Sequence, residues 1–389
     1  MRITDLKPMA IKIPQEDTFG GKGAPEKGEE PSETTYFLQP GWRGLYSDQT
    51  ETTLVKVETD EGIVGFGEGQ APIGPEVTAM VIDKVLRPIL IGRDPTQIGV
   101  LRHEMYEAMN IRGHYTGFMV NGISAVDSAL WDIKGKKLGA PVVDLLGGAF
   151  RDRVPVYVSG IRGRTIEEQA ATAQGHVKQG FRALKMFLGF NIEEDLEHIR
   201  AVREAVGPDV QLMVDTLWGY DVPTAIQFGR HLERHRIAWF ETPTSPEDLE
   251  GHAEIARTLE IPVAAGETEL TSYQFLRWFQ ARALDIAQPD VGRCGITETK
   301  RIADLAELFN IPVALHAGIC LAPSIAASIH VAAATPKLLF QEYQPVMLEV
   351  SNRFLKHPMV CEEGHFHLPE GPGLGIEINE EALAQYVTG

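Results

Sequence analysis

The sequence has 389 residues, of which 43% are hydrophobic, and its formal net charge is −18 at pH 7. This length fits two domains, and this apolar fraction is ordinary for a globular protein with a sizeable core. The acidic excess disfavours nucleic acid and anionic membranes as partners, although a metal and a few cationic side chains can still hold a small anionic substrate.

The cysteines and the N-terminus suggest the compartment. Cys294, Cys320 and Cys361 form neither a paired framework nor a metal-ligand spacing, which is typical of a protein in a reducing cytosol. The first 15 residues lack the apolar core of a signal peptide, and we find no uninterrupted apolar stretch long enough to span a bilayer. We therefore expect a soluble cytoplasmic protein.

Residues 1–130 predict an α+β domain. Residues 3–13 alternate as a strand does, residues 52–69 predict a hairpin, and helical periodicity begins at Pro75.

A Gly-, Pro- and Glu-rich stretch, residues 18–50, interrupts this first domain. Loops of such length in a compact chain are either disordered or functional. The stretch carries the aromatic and cationic residues Tyr36, Phe37, Trp42, Arg43 and Tyr46, which favour a lid over a disordered segment. His114 and Tyr115, in the segment RGHYTG between two predicted helices, are also expected to border a site.

Residues 150–345 predict a barrel of parallel strands. Eight short apolar strands, starting near residues 154, 182, 211, 237, 262, 285, 312 and 338, alternate with helical segments. The first strand-to-strand step lacks a His-x-His motif, which disfavours a metal site of the amidohydrolase type. Residues 346–389 then predict a C-terminal hairpin that returns to the first domain.

Six polar residues end consecutive predicted strands at intervals of 23 to 26 residues. They are Asp215, Glu241, Glu267, Asp290, His316 and Glu342. The carboxyl ends of barrel strands face a common mouth. Five carboxylates in one mouth cannot all be ionised without a cation among them.

Asp215, Glu241 and Glu267 are the candidate metal ligands. Three hard oxygen donors without sulfur or imidazole favour Mg²⁺ over Zn²⁺. The alternative is that each carboxylate only caps the helix that follows it. Their even spacing on consecutive strands favours the metal site.

The remaining polar residues predict acid–base chemistry. Asp290 and His316 end neighbouring strands, so the carboxylate can fix the imidazole tautomer and raise its basicity; the alternative is a structural histidine. Lys185 shares a strand face with Phe187 and points into the barrel, either as a functional group or as an ion-pair partner. Glu342 has two open interpretations: a protonated donor to a developing oxyanion, or a carboxylate paired with Lys185.

Motifs along nearly the whole chain resemble the mandelate racemase subgroup of the enolase superfamily. They are GISAVDSALWDIKGKKLG, FRALK, MVD, WFETP, AAGE, QPDVGRCGIT, AATP and PGLGIEI. The resemblance implies a (β/α)₇β TIM-type barrel under an α+β capping domain that the C-terminal segment completes. It also implies a homo-oligomer, and a lid over residues 18–50 that selects the substrate.

The resemblance implies a role for each strand-end residue. Asp215, Glu241 and Glu267 match the magnesium ligands, and His316 with Asp290 matches the acid/base dyad. In the same comparison Lys185 matches the first lysine of a Lys-x-Lys motif and Glu342 the carboxyl donor. The implied common step is abstraction of the proton α to a carboxylate, giving an enediolate stabilised by magnesium.

One departure from the subgroup guides the functional hypothesis. Phe187 stands where the second lysine, the opposing base, is usual. Losing a base on one face damages racemisation more than β-elimination, in which His316 serves both steps. We therefore expect a magnesium-dependent dehydratase of an acid sugar, an aldonate or aldarate, giving a 2-keto-3-deoxy acid. Arg162, after the first barrel strand, is a candidate carboxylate binder or acid–base partner.

Three alternatives remain. One is a racemase or epimerase of a 2-hydroxy acid. Another is a cycloisomerase of the sister subgroup, disfavoured because that subgroup usually carries a lysine instead of the histidine. The third is a catalytically silent barrel that serves as a binding protein, which would predict a broken ligand set. The side chains expected to set substrate identity are Tyr36, Arg43, Tyr46, His114 and Tyr115.

Overall fold

The computed structural model describes residues 1–14, 36–38, 43–163 and 165–388, which form an α+β cap and a closed barrel. Most of the lid predicted over residues 18–50, including Trp42, lies outside the described residues. None of the helices within the described ranges combines the length and apolar character that crossing a membrane requires.

The described part of the cap begins with strands. They are β1 (Ile3–Pro14), β2 (Tyr36–Leu38), β3 (Leu45–Ser47), β4 (Gln49–Thr59) and β5 (Val64–Gly69). β1, β4 and β5 form an antiparallel sheet, and β4 with β5 is the hairpin predicted over residues 52–69.

Helices cover one face of this sheet. They are α1 (Pro75–Val81), which continues through a π-helical turn (Ile82–Leu86) into α2 (Arg87–Leu90), then α3 (Ile98–Asn110) and α4 (Phe118–Leu138). β5 reads VGFGEG, and its alternate glycines face α4 so closely that a Cβ on Gly67 would overlap the carbonyl oxygen of Ala125. Glycine is therefore required for this contact. α4 runs past the domain boundary predicted at residue 130 and is buried against both cap and barrel.

Eight parallel strands close the barrel. They are β6 (Arg153–Ser159), β7 (Ala183–Phe187), β8 (Gln211–Asp215), β9 (Phe240–Glu241), β10 (Val263–Ala265), β11 (Ile286–Ala287), β12 (Val313–Leu315) and β13 (Leu338–Tyr343). β13 pairs with β6 in parallel, with Gln341 opposite Val156, which closes the sheet. The (β/α)₇β architecture is thereby confirmed.

Helices surround the barrel, and all but the first and the last of them connect its strands. They are α5 (Val142–Leu145), α6 (Ile166–Lys178), α7 (Ile192–Val206), α8 (Val222–Arg234), α9 (Leu249–Thr258), α10 (Ser272–Ala281), α11 (Val291–Cys294), α12 (Ile296–Leu308), α13 (Ala322–Ala333) and α14 (Pro345–Asn352). Their apolar faces pack on the outer side of the strands in one continuous core.

The C-terminal segment differs from its prediction in one respect. The predicted hairpin forms, as β14 (Cys361–Glu362) and β15 (His365–His367), but β15 pairs with β6 of the barrel and not with the cap. The reason is that β13 reaches β6 only from Val156 onward, which leaves the start of β6 open to another strand. The return to the cap comes later, after α15 (Glu380–Ala384), where β16 (Val387–Thr388) pairs with β1.

Strand alternation places the polar site above an apolar floor. One cluster fills the barrel interior: Tyr157, Ala183, Met213, Trp239, Ala264, Ile286, Ala314 and Phe340. Two positions later on each strand, the same face carries Ser159, Lys185, Asp215, Glu241, Gly266, Gln288, His316 and Glu342. Most of the charged groups of the barrel interior thus lie in one ring at the carboxyl ends of the strands.

A buried histidine on α13 makes the stability of this fold sensitive to acid. His330 is fully buried with Nε2 3.2 Å from the carbonyl oxygen of Leu374, and burial lowers its pKa to about 4. A histidine with a lowered pKa stabilises the folded state fully above its unfolded pKa, and this contribution is lost as the pH falls toward 4.

We expect wild-type protein to lose about 3 kcal/mol of unfolding free energy relative to His330→Gln between about pH 7 and pH 4. Urea denaturation of both proteins across this range measures the difference. The comparison cancels the carboxylates common to both, and a difference that does not change with pH would contradict the prediction.

Candidate active site

The strand-end residues predicted from the sequence come together at one mouth of the barrel. Asp215, Glu241 and Glu342 lie on β8, β9 and β13 and are buried, while His316 immediately follows β12. Glu267 and Asp290 lie in the loops just after β10 and β11. The apolar floor below and the cap above keep most of this ring out of water.

Lys185 forms ion pairs with three of the carboxylates. Its ammonium, 1% exposed, lies 2.5 Å from Glu241 Oε1, 3.3 Å from Glu342 Oε1 and 3.4 Å from Asp215 Oδ2. Burial opposes its charge, but Glu241 and Glu342 outweigh burial and raise the pKa of Lys185 well above its usual value. Lys185 is therefore charged and acts as the central cation of the ring.

Polar groups from two neighbouring loops fix the first two acids. Asp215 Oδ1 accepts hydrogen bonds from the hydroxyl of Thr242, 2.6 Å, and the backbone N–H of Leu217, 2.9 Å. Glu241 Oε2 accepts one from the indole N–H of Trp239 at 2.9 Å. These contacts orient both side chains before any ligand binds.

The same loops have unusual backbone conformations. Leu217, Trp218 and Thr242 have φ values of 49°, 60° and 47°, in the left-handed region that residues other than glycine rarely adopt. Such conformations persist only where surrounding contacts maintain them, and they cluster at functional sites. Here they follow Asp215 and Glu241 directly and place the Leu217 N–H and the Thr242 hydroxyl on Asp215.

His316 lies between carboxylates on both sides of its ring. Nδ1 is 2.7 Å from Asp290 Oδ2, and Nε2 is 3.0 Å from Glu267 Oε2 and 3.5 Å from Glu342 Oε2. Burial opposes its charge, but Glu342 and Glu267 outweigh burial and raise the pKa of His316 well above its usual value. A carboxylate only accepts hydrogen bonds, so both ring nitrogens carry protons in this state.

This environment shifts the pKa values of the acids in different directions. Burial and the charges of neighbouring acids raise the pKa of Asp215, and that of Glu241 to about 8, although Lys185 opposes both shifts. Burial also acts on Glu267, but His316 outweighs it and lowers the pKa of Glu267 to about 2. For Glu342, Lys185 and His316 outweigh burial and lower its pKa, an environment that favours the ionised interpretation of this residue.

The donor set suits a magnesium ion. Asp215, Glu241 and Glu267 supply only carboxylate oxygens, and the charge of Glu267 contributes to the raised pKa values of both Asp215 and Glu241. Within the described residues no three acidic, His or Cys side chains already surround one point as a metal site. The reason is that Lys185 pairs with two of the acids and His316 with the third. Burial raises the pKa values of Asp215 and Glu241, and the charges of neighbouring acids add to this effect, so a divalent cation bound there would stabilise their ionised forms.

The side of the mouth next to Lys185 is apolar. The ring of Phe187 lies 5.5 Å from the Lys185 ammonium, on the strand face that alternation predicts. It also packs beside Gly160, where a Cβ would approach the ring to 2.9 Å. Phe187 has no group that can accept a proton, so it cannot serve as a base on this side of the mouth.

Two of the predicted substrate-binding residues reach the mouth. Burial, with the charges of Asp215 and Glu267, raises the pKa of Tyr46 to about 12. The Tyr46 hydroxyl donates to the carbonyl of Arg43 at 3.0 Å, and the Arg43 guanidinium donates to the carbonyl of Gly219, after β8, at 3.3 Å.

The other predicted substrate-binding residues lie in the cap or beyond the end of β6. The Tyr36 hydroxyl donates to Glu51 at 2.8 Å and accepts from the N–H of Gly74 at 3.0 Å, a network inside the cap. His114 and Tyr115 are exposed between α3 and α4, and Arg162 is exposed beyond β6. The described contacts of Tyr36, His114 and Tyr115 do not join them to the ring.

Sequence reasoning missed several members of the site. Trp239 and Thr242 bind the acids directly, and Tyr157 lies under Lys185 with its ring centre 5.3 Å from the ammonium. Gln288 is fully buried on the ring, and neither polar atom of its amide has a hydrogen-bond partner among the described residues. Alternation along each strand would have placed Tyr157, Trp239 and Gln288 on the inner face, whereas Thr242 follows a strand and gave no signal.

Two family models match the chain. "Enolase C-terminal domain-like" matches residues 167–382, and "Mandelate racemase / muconate lactonizing enzyme, N-terminal domain" matches residues 44–147. The first covers the barrel from α6 onward, and the second covers most of the described cap.

Individual relatives carry three different activities in their names. The chain is 37% identical over 351 residues to a D-galactarolactone cycloisomerase of Agrobacterium fabrum, covering 87% of this chain and 92% of that protein. It is 34% identical over 352 residues to an arabinonate dehydratase of Saccharolobus solfataricus, covering 88% and 92%. Among solved structures, a racemase from Streptomyces coelicolor with bound magnesium superposes with a TM-score of 0.86 at 28% identity, covering 99% of this chain and 100% of that one.

Proposed function

Because this chain belongs to the mandelate racemase subgroup of the enolase superfamily, we propose that it is a magnesium-dependent dehydratase of an acid sugar. Its substrate would be an aldonate or aldarate and its product a 2-keto-3-deoxy acid. The protein is an enzyme, and the lyase assignment is the one that its site supports best.

The proposal depends on which acid–base residues stand on the two sides of the site. His316, oriented by Asp290, is the proton-transfer group at the mouth, and Phe187 replaces the opposing base. Inversion of a stereocentre needs proton transfer on both faces of the α-carbon. β-Elimination needs one group that removes a proton and then protonates the leaving oxygen.

His316 and Asp290 would have different roles in the elimination. His316 would take the proton at C2 of the substrate and then deliver it to the departing hydroxyl at C3. The C2–H and C3–O bonds break, a C2–C3 double bond forms, and water leaves; the resulting enol becomes the 2-keto acid. Asp290 would hold the imidazole orientation throughout.

Asp215, Glu241 and Glu267 would hold the magnesium ion. When bound, it supplies positive charge for the substrate carboxylate as that group becomes more negative. In the structure Glu267 pairs with His316 Nε2, so the imidazole becomes available as a base only when Glu267 has another partner and Nε2 has lost its proton. Lys185, buried beneath the acids, is placed to compensate charge near the substrate carboxylate.

A screen of acid sugars with Mg²⁺ tests the proposal. We expect a 2-keto product, detected as its semicarbazone, from at least one aldonate or aldarate, and loss of this activity with EDTA. In heavy water the product should carry deuterium at C3. Exchange or inversion at C2 of the substrate without any keto product would contradict the dehydratase assignment.

A cycloisomerase is the second candidate, because more than one relative carries that name. The sequence alone disfavoured this activity, yet a cycloisomerase also needs removal of a proton next to a carboxylate by a single base. The difference is that the leaving oxygen stays in the same molecule. Mass spectrometry separates the two, since a dehydratase product is one water lighter than its substrate and an isomerase product has the same mass.

The proposal also includes the partners, the oligomeric state and the compartment of the enzyme. We expect a small anionic substrate and no nucleic-acid or membrane partner, in line with the net charge of −18. We also expect a homo-oligomer in the cytoplasm, and the free thiols of Cys294 and Cys320, both buried, agree with a reducing compartment. Light scattering of the purified protein measures the oligomeric state.

A further inference from the structure

The end of strand β5, at the edge of the cap sheet, lies against the two barrel loops that carry the dyad. This segment is Glu68–Gln70, and both of its polar side chains are buried. Neither residue was singled out by the sequence. Its contacts connect the cap to Asp290 on one side and to the segment after His316 on the other.

Glu68 binds the segment that follows His316. Its carboxylate accepts hydrogen bonds from the backbone N–H of Leu321, at 2.8 and 3.0 Å, and of Ser324, at 3.1 Å. The hydroxyl of Thr52 donates to it at 2.8 Å. At the start of α13 these N–H groups have no partner within the helix, so an acceptor outside it is needed. The helix dipole also favours a negative charge at this end. Glu68 thereby anchors the far end of the loop that begins at His316.

Gln70 binds the segment that follows Asp290. Its backbone N–H donates to the carbonyl of Gly292 at 2.8 Å, and the N–H of Gly292 donates to Asp290 Oδ1 at 2.7 Å. Asn121 of α4 donates to the carbonyl of Gln70 at 2.7 Å. Two successive hydrogen bonds thus connect the cap backbone to the carboxylate that orients His316.

The segment is closely packed against its neighbours at two glycines. A Cβ on Gly318 would overlap the side-chain amide of Gln70 and lie 2.9 Å from His316 Cε1. A Cβ on Gly69 would overlap the carbonyl oxygen of Asn121. The amide of Gln70 and the imidazole of His316 therefore lie against the same glycine.

We propose that the Glu68–Gln70 segment of the cap is a positioning element for the Asp290–His316 dyad. Asp290 and His316 lie on separate loops, and their 2.7 Å hydrogen bond depends on how those loops are held. A displacement of about 1 Å at a catalytic group can cost about 100-fold in rate. The inference rests on the proposed function only in assigning acid–base work to the dyad.

A matched pair of variants separates positioning from general stability. Glu68→Gln replaces one acceptor oxygen by an NH₂ group that opposes the Ser324 N–H. Asp127→Asn makes the same chemical change in another buried cap carboxylate, which binds the N–H and hydroxyl of Thr297 on α12 at 2.8 and 2.6 Å. Gln70→Ala removes the amide beside Gly318 and keeps the backbone hydrogen bonds.

The first measurement needs no substrate. In full-length protein labelled with ¹⁵N-histidine, the Nδ1–H proton of His316 should give a hydrogen-bonded signal that His316→Asn identifies by removing it. We expect this signal to shift or disappear in Glu68→Gln and Gln70→Ala and to remain unchanged in Asp127→Asn. Because no turnover is involved, this result does not depend on which reaction the enzyme catalyses.

The second measurement uses whichever substrate the screen identifies. We expect kcat to fall about 10- to 100-fold in Glu68→Gln and Gln70→Ala with KM within about 2-fold. Asp127→Asn should lower the melting temperature about as much as Glu68→Gln and leave kcat unchanged. An unchanged His316 signal in both segment variants would overturn the inference. So would an equal effect of Asp127→Asn on signal and kcat, since the whole seam between cap and barrel would then be responsible.

Discussion

Replacing His316 with asparagine should lower kcat by about 10²–10⁴-fold or more, the usual contribution of a general base. Asparagine can still donate a hydrogen bond to Asp290 from nearly the same position as Nδ1, so the local fold should persist. It cannot accept a proton at neutral pH. None of the three proposed metal ligands is changed, so Mn²⁺ binding measured by calorimetry should persist.

His330→Gln provides the control for this experiment. His330 is also a buried histidine, but it lies on α13 and bonds to the carbonyl of Leu374, away from the ring. It should keep its turnover at neutral pH. If His316→Asn turned over substrate at the wild-type rate, the dyad would not be the proton-transfer group and the proposed mechanism would be wrong.

Replacing Lys185 with methionine should destabilise the metal-free protein by about 3–5 kcal/mol, the range for removing one partner of a buried ion pair. Lys185 is the cation nearest to Asp215, Glu241 and Glu342. Without it no ammonium group opposes their mutual repulsion at this point, and the loss should grow as the pH rises above about 8, the pKa of Glu241 with Lys185 present. Urea denaturation with EDTA between about pH 7 and pH 9 measures the effect.

Two comparisons test the cause of that loss. Adding Mg²⁺ should recover part of the stability, since an ion that binds only the folded state stabilises it by mass action. Lys136→Met should cost less, because Lys136 pairs with one buried acid, Asp132, and is itself 29% exposed. Equal stability of Lys185→Met and wild type in EDTA would show that Lys185 is not the compensating charge of the ring.

The strands and the inner faces of the barrel were predictable because they depend on local patterns. A strand repeats every two residues and a βα unit here repeats about every 26, so the sequence alone indicated eight strands and aligned Asp215, Glu241 and Glu342 at one mouth. The same alternation correctly put Lys185 beside Phe187. The family was recognisable for the same reason, since its motifs are short and contiguous.

Only the tertiary structure decided which partner each charged group has. The sequence offered Lys185 as a base, a carboxylate binder or an ion-pair partner, and the fold pairs it with three acids at once. It placed Tyr36 among the substrate-binding candidates, whereas the cap engages the Tyr36 hydroxyl with Glu51. The contacts of Glu68 with Leu321 span 253 residues, and no local pattern encodes such a pairing. Periodicity specifies which side of a strand a residue faces, whereas the identity of its partner depends on how distant segments pack in three dimensions.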